Sequence, residues 1–334
     1  MSRRRLSRRA AGGGAAIALG LALLLALAGI WTYSGPGPAA RDGKMTPVTL
    51  EKGTGLGQIG AALKDAGVIS SAGLFVLAAR LTGTADSLKA GDYEFPSRVS
   101  MRRVLANIRD GKTVRLQITI PEGWTSDMVR DALMAKAELT GAVDAPAEGA
   151  VLPDTYRLRR GEARSGVIRR LAEARDQAVA ELWRGRQQGL PLGTPEDAVI
   201  LASVVEKETG VAEERPRVAA VFINRLRLGM ALQSDPTIIY GITKGRPLGR
   251  GLRASELAAA GPYNSYKVRG LPPTPIANPG RESLAAVLNP PDTDELFFVA
   301  DGSGGHAFAV TYEDHKRNVA RWREIERNKA AEAN

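Results

Sequence analysis

The sequence of 334 residues lacks cysteine and contains only two histidines, His306 and His315. The absence of cysteine excludes disulfide bonds and cysteine-ligated zinc sites. Two histidines are too few for a site of several histidine ligands, so we expect no metal and no cofactor. The glycine-rich DGSGG at 301–305 is followed by no lysine, which excludes a phosphate-binding loop of the usual kind. No internal repeat or long low-complexity tract is present.

The charge is unevenly placed. The net charge is +10, but five of the 46 basic residues are arginines among the first nine positions, and without them 41 basic residues face 36 acidic ones. The basic excess is therefore partly local. A cluster beside an apolar segment is typical of membrane topology, so it gives little support to nucleic-acid binding.

Residues 10–33 carry no charge and predict a transmembrane helix. A helix of that length reaches about 36 Å, enough for a hydrocarbon core of about 30 Å. The arginines at 1–9 predict a cytoplasmic N-terminus, and Trp31 and Tyr33 suit the opposite interface. The alternative is a cleaved signal peptide with a site at Ala26-Leu27-Ala28. Either way the rest of the chain lies outside the cytoplasmic (inner) membrane, on its periplasmic side.

The remaining chain predicts an α+β fold. Residues 34–45 are rich in glycine and proline and predict a linker. Residues 46–123 predict a small α+β module that ends in an alternating strand at 114–120. Residues 124–325 predict a second, mixed α+β domain, and 326–334 a tail. Within the second domain, residues 233–279 are rich in proline, glycine, tyrosine and asparagine and predict a long loop, and such loops often carry function.

The segment LASVVEKET at 201–209 holds the strongest candidate for catalysis. At about 100° per residue, Leu201, Val204 and Val205 share one helix face, and Glu208 falls within it. Glu206 lies about 160° away and should be solvated or ion-paired. A carboxyl group against apolar side chains has a raised pKa and can donate a proton near neutral pH. The alternative is a buried Glu208 that is paired with a cation such as Arg225 or Arg227.

The segments 233–241 and 263–266 place amides, carboxyls, hydroxyls and aromatic rings in one region. Such groups suit a sugar, whose hydroxyls pair with polar side chains and whose rings stack on aromatic ones. We therefore predict sugar contacts for five residues, which are Gln233, Asp235, Tyr263, Asn264 and Tyr266. Ordinary turn chemistry is the alternative explanation for these loops. His306, after the glycine turn, is more typical of a structural hydrogen bond than of a base.

Several motifs, in order, resemble the YceG-like family of endolytic murein transglycosylases. They are KAGDYEF (89–95), IPEGW (120–124), LPDTY (152–156), ASVVEKETG (202–210), VFINRLRLGMALQSDPTIIYG (221–241), YNSY (263–266), GLPPTPIANPG (270–280) and FFVADGSGGHAF (297–308). The resemblance covers nearly all of residues 46–320. Two features depart from the family: the segment before LPDTY has fewer aromatic residues, and 160–193 has no motif that can be placed.

The resemblance implies a LysM-like module at 46–123, a YceG-like catalytic domain and Glu208 as the essential glutamate. It implies cleavage of the β-1,4 bond between N-acetylmuramic acid and N-acetylglucosamine in nascent peptidoglycan strands. The muramyl 6-hydroxyl would attack C1 and leave a 1,6-anhydro end, so one carboxyl suffices as acid and then base. Penicillin-binding proteins, which are peptidoglycan synthases, are the implied partners.

Two other functions stay open. The chain could be a non-catalytic peptidoglycan-binding scaffold, in which Glu208 would be dispensable. It could also be a hydrolase that uses water, which would need a second carboxylate such as Asp154 or Asp235 about 5–9.5 Å from Glu208.

Overall fold

The computed structural model describes residues 3–41 and 43–332, and the chain divides into two compact units, of which the first ends at Leu116 and the second begins at Gln117. The predicted basic N-terminus (1–9), linker (34–45) and tail (326–334) each include residues outside this description. The fold mixes helices with short antiparallel strand pairs, in agreement with the predicted α+β class.

The chain begins with a long helix, α1, at Arg3–Ser34. The predicted transmembrane segment at 10–33 falls within it. Across the described residues, however, no helix is both long enough and apolar enough to span a bilayer. The predicted span is therefore not confirmed.

The rest of the first unit pairs β1 (Met45–Leu50) with β2 (Gly91–Pro96) in an antiparallel register that sets Val48 opposite Tyr93. Its helices are α2 (Leu56–Asp65), α3 (Ala72–Leu81) and α4 (Met101–Asp110). Ser100 caps α4 as predicted, since its hydroxyl accepts a hydrogen bond from the Arg103 backbone.

The predicted strand at 114–120 is shorter in the structure. Only β3 (Gln117–Thr119) is paired, with β4 (Thr155–Arg157), because the partner strand is itself three residues long. The predicted alternation holds, since Ile118 and Ile120 are buried and their neighbours are exposed.

The second unit has a helical core around α7 (Pro195–Glu208), in which every residue from Ala198 to Val205 is buried. Thr194 and Asp197 form the predicted capping box: the Asp197 amide donates to the Thr194 hydroxyl, and the Thr194 amide donates to the Asp197 carboxylate. Helices α6 (Arg164–Arg184), α8 (Arg215–Arg227) and α11 (Arg281–Leu288) pack against α7, and the unit also contains helix α5 (Ser126–Met134). The unplaced region 160–193 is thus largely α6.

The interpretation of 233–279 as loop is wrong in part. It contains helix α9 (Asp235–Thr243) and the short helix α10 (Ala254–Ala258). Proline breaks a helix in its interior, so Pro236 argued against a helix here. It lies in the first turn of α9, however, where proline is well tolerated. The chain then forms a hairpin of β5 (Phe297–Ala300) and β6 (His306–Ala309) and ends in α12 (Tyr312–Glu332).

Candidate active site

Glu208 is the last residue of α7, on the face that Leu201, Val204 and Val205 bury. At Thr209 the backbone becomes extended, so the chain leaves the helix directly after the glutamate. Glu208 itself is half-buried. The helix thus carries a carboxyl group from the core to the wall of a cavity.

This cavity, called the Glu208 cavity below, has a volume of about 390 Å³. It is built by the ends of α7 and α8, the segment before α9, the hairpin strand β5 and helix α12. The residues that line it are Glu208, Arg225, Leu232, Gln233, Asp235, Tyr266, Phe298, Val299, His315 and Val319. Polar and apolar groups are mixed on its walls, as in many ligand sites.

The pKa of Glu208 is raised to about 7. Burial is the main cause, because it penalises the charged form of the carboxyl group. The Ser234 hydroxyl lowers this pKa, the negative charge of Asp235 raises it, and the positive charge of Arg225 lowers it. Near neutral pH a substantial fraction of Glu208 is therefore protonated and able to donate a proton.

Arg225 does not form the ion pair that would explain Glu208 as a structural residue. Its guanidinium donates to the carbonyls of Leu296 (2.7 Å) and Leu232 (2.8 Å) and to the side-chain oxygen of Gln233 (3.1 Å). Within the described part of the chain, no cation lies within 4.0 Å of the Glu208 carboxylate. Arg225 therefore acts on Glu208 only at longer range.

Glu206 has the ion-paired surroundings that were predicted for it. Its carboxylate lies 3.6 Å from the Arg215 guanidinium and accepts a hydrogen bond of 2.9 Å from the Gly280 amide. The same guanidinium lies 3.4 Å from Glu122. The Glu206 side chain is 5% exposed, so the pair is buried and not solvated.

Three of the five predicted sugar-contacting residues lie in the Glu208 cavity. Gln233 has a left-handed backbone conformation (φ 57°), and its backbone N–H donates to the Ser265 carbonyl. The Tyr266 hydroxyl donates to the Asp235 carboxylate over 2.7 Å. This hydrogen bond ties the first turn of α9 to the segment that contains Tyr266.

Tyr263 and Asn264 line a different cavity, described below. The side-chain nitrogen of Asn264 donates to the carbonyls of Leu257 (3.0 Å) and Ala259 (2.7 Å). Its side-chain oxygen accepts from the backbone N–H of Tyr266. These bonds leave its side chain engaged with the protein backbone.

Two residues of the site were not predicted from the sequence. The Ser234 hydroxyl is buried beside Glu208 and has no hydrogen-bond partner of normal geometry among the described residues. His315 enters the cavity from α12; burial and the nearby Arg225 lower its pKa, which favours the neutral imidazole. Ser234 could have been predicted as a site residue, since it lies between the two predicted residues Gln233 and Asp235. For His315, no sequence motif in its charged helix indicated a place in the site.

The remaining candidates lie elsewhere. The His306 ring is 2.7 Å from the Glu214 carboxylate, which is the structural kind of contact expected for it. Asp154 is exposed, does not line the Glu208 cavity, and accepts from the Thr155 amide. Across the described residues no group of three or more acidic or histidine side chains is arranged to hold a metal ion.

A family model described as the YceG-like family matches residues 48–321, a range that includes every residue of the Glu208 cavity. The chain is 29% identical to the endolytic murein transglycosylase of Streptococcus pneumoniae serotype 2 (strain D39 / NCTC 7466), over 84% of this chain and 59% of that protein. It therefore spans about three-fifths of that relative's length.

The endolytic murein transglycosylase of Bacillus subtilis (strain 168) is 26% identical, over 84% of this chain and 86% of that protein. A crystal structure of a yceG-like protein from Listeria monocytogenes superposes with a TM-score of 0.52 at 27% identity. It covers 82% of this chain and 98% of that one. The shared fold thus extends over most of both chains.

Proposed function

Because the chain belongs to the YceG-like family, we propose that it is a lytic transglycosylase that cuts within peptidoglycan strands. The bond cleaved is the β-1,4 bond between N-acetylmuramic acid and N-acetylglucosamine, and the product carries a 1,6-anhydro-muramyl end. The observation that carries the proposal is the Glu208 carboxyl group, which lines a cavity with its pKa raised to about 7. The names of the relatives from S. pneumoniae and B. subtilis support the same activity.

Glu208 would act first as an acid and then as a base. The neutral carboxyl donates its proton to the glycosidic oxygen while the bond from that oxygen to C1 breaks. The resulting carboxylate takes the proton of the muramyl 6-hydroxyl as that oxygen bonds to C1. The carboxyl is neutral again at the end, and no water is consumed.

Neighbouring side chains support each stage. Once Glu208 has given up its proton, the carboxylate needs a hydrogen-bond donor, because burial makes the site unfavourable for charge. The Ser234 hydroxyl, which has no other partner among the described residues, is placed to donate. Asp235 and Tyr266, joined by their hydrogen bond, and Gln233 supply polar groups for sugar hydroxyls. The catalytic assignment of Glu208 and these sugar contacts are parts of the proposal.

A hydrolase is the second candidate, and the position of Asp235 favours it. This carboxylate lines the same cavity as Glu208 and could activate a water molecule. Asp154 has no such placement. A hydrolase would leave reducing ends in place of 1,6-anhydro ends.

The membrane placement rests on the sequence. The uncharged run at 10–33 and the arginines before it support a single-pass anchor with the N-terminus in the cytoplasm and the enzyme outside the inner membrane. There the enzyme would cut nascent strands and end their elongation, and peptidoglycan synthases of the penicillin-binding class would be its partners. A LysM-like role for residues 46–123 belongs to the same proposal.

The deciding experiment is mass spectrometry of purified peptidoglycan digested with the full-length protein in detergent. Wild type should release products with 1,6-anhydro-muramic acid, and Glu208→Gln should release none. Glu213→Gln is the matched control, because Glu213 is exposed and outside the cavity. Reducing ends would establish hydrolysis instead. Equal products from wild type and Glu208→Gln would refute the role of Glu208, and no products from nascent strands in membranes would favour the scaffold.

A further inference from the structure

A second cavity, of about 300 Å³, lies at the other end of α9. We call it the Lys244 cavity. Its walls include Ile238 and Ile242 of α9, and Ala259, Pro262 and Tyr263 from the segment after α10. Ile242 is 48% exposed, so an apolar wall of this cavity faces solvent.

The two cavities share their building elements. Asp235 begins α9 and lines the Glu208 cavity, whereas Lys244, just past the end of α9, lines the Lys244 cavity. Likewise Tyr266 faces the first cavity and Tyr263 the second. At 1.5 Å per residue the helix separates them by about 13 Å. A group that branches from a sugar near Glu208 could therefore extend into the Lys244 cavity.

Lys244 is the charged group of this cavity that remains available to a ligand. The Glu256 carboxylate is already paired with Arg250, over 2.8 and 2.5 Å, and accepts from the Arg253 amide. These bonds lower the pKa of Glu256 to about 2. In the described part of the chain the Lys244 ammonium has no carboxylate within 4.0 Å. It lies 5.3 Å from the Tyr240 ring centre and 5.2 Å from that of Tyr263.

We propose that the Lys244 cavity binds the short peptide that branches from muramic acid, with a peptide carboxylate at Lys244 and small apolar side chains on the isoleucine, alanine and proline wall. This inference rests on the proposed function and names the substrate more closely: strands that carry stem peptides, rather than bare glycan. The site combines one cation with an apolar surface, which matches a carboxylate beside alanine methyl groups.

Binding of a soluble muramyl peptide, measured by calorimetry with the full-length protein, tests the site without any cleavage, because this ligand has no glycosidic bond to cut. Wild type should bind it, and Lys244→Gln should bind about tenfold more weakly, since a charge-assisted contact is lost. Lys244→Arg should retain binding. Lys267→Gln is the matched control, because Lys267 is exposed on the same segment but lies outside the cavity.

The carboxylate at Lys244 could come from the peptide or from the lactyl group of muramic acid. N-acetylmuramic acid without a peptide distinguishes the two, since its only carboxylate is that of the lactyl group. Its binding should not depend on Lys244. If it binds as tightly as the muramyl peptide and loses affinity equally in Lys244→Gln, the site recognises the lactyl group and the peptide proposal is overturned. Equal binding of the muramyl peptide by wild type and Lys244→Gln overturns it as well. Melting temperatures of the variants reveal whether Lys244 only stabilises the end of α9.

A cleavage assay then compares strands with stem peptides and the same strands stripped by an amidase. Wild type should favour the peptide-bearing strands in kcat/KM, and Lys244→Gln should lose that preference while cutting stripped strands at the wild-type rate. Equal loss on both substrates would contradict the proposal. If neither substrate is cut while the muramyl peptide still binds through Lys244, the proposed activity fails and the binding site stands.

Discussion

The last turn of α7 holds two glutamates, two residues apart, with opposite surroundings. Glu206 is buried against Arg215 and the Gly280 amide, so its negative charge is compensated. Glu208 has no cation within ion-pair distance in the described part of the chain, and burial raises its pKa to about 7. The first arrangement suits a carboxylate that stabilises the fold, and the second suits a carboxyl group that exchanges a proton.

The difference arises from the neighbours that each helix face meets. Glu206 faces the start of α8 and the segment before α11, which supply a guanidinium and a backbone amide. Glu208 faces the Glu208 cavity, where the guanidinium of Arg225 donates its hydrogen bonds to carbonyl groups. One helix thus presents the same residue type to a compensated environment and to an uncompensated one.

The largest expected effect is on activity. Glu208→Gln should lower the rate of 1,6-anhydro product formation by about 10³-fold, because general acid–base catalysis is lost. Glu206→Gln should retain most of the activity of whatever protein is folded. With rates normalised to the amount of folded protein, an equal loss of activity in Glu206→Gln and Glu208→Gln would contradict the different roles assigned to the two glutamates.

The same pair of variants should change stability in opposite directions. Glu206→Gln removes one of the two carboxylates beside the Arg215 guanidinium, and because Glu122 still lies 3.4 Å from that guanidinium, the variant should cost only about 1 kcal/mol. Because the folded-state pKa of Glu208 is raised, its ionisation destabilises the protein as pH rises from about 4.5 to about 7. Glu208→Gln should therefore be more stable than wild type by about 3 kcal/mol at pH 8, and nearly equal at pH 4.

Denaturant unfolding at both pH values measures these differences. Circular dichroism should show unchanged helix content for both variants. If Glu208→Gln has the same advantage at pH 4 as at pH 8, ionisation is not its cause.

Ser234→Ala should lower the activity about tenfold, since the carboxylate formed during catalysis loses a donor. It should also move the alkaline limit of activity to higher pH, because the hydroxyl lowers the pKa of Glu208. In wild type the activity should fall as pH rises through about 7, where the acid ionises. A rate loss without this shift would indicate a purely structural role for the serine.

The smallest effect is expected from Asp235→Asn. The negative charge of Asp235 raises the pKa of Glu208, so its removal should move the alkaline limit slightly to lower pH, opposite to Ser234→Ala. Asparagine can still accept the Tyr266 hydrogen bond, which limits other changes. Product analysis of the same variant also tests hydrolysis, because a catalytic Asp235 would make the variant inactive.

Much of the fold follows from local rules. The spacing of apolar residues and the capping residues Ser100 and Thr194 predict helices that the structure contains. Helix α9 was not predicted, because the segment that contains it is rich in residues that favour turns. The helix begins at Asp235 and has proline in its first turn, where proline is well tolerated. The strand at 114–120 was predicted too long, because its paired length depends on β4, which lies far along the chain.

The sequence by itself determined that Glu208 lies on the apolar face of its helix and Glu206 on another, because helical periodicity is a local property. Only the tertiary structure decided what each face meets. It engaged Arg225 with backbone carbonyls, brought His315 from the final helix into the cavity, and buried the Ser234 hydroxyl beside Glu208 with no hydrogen bond of normal geometry to any described residue. It also placed Tyr263 beside Lys244 rather than beside Glu208. These outcomes depend on contacts between residues distant in the chain, which no local pattern encodes.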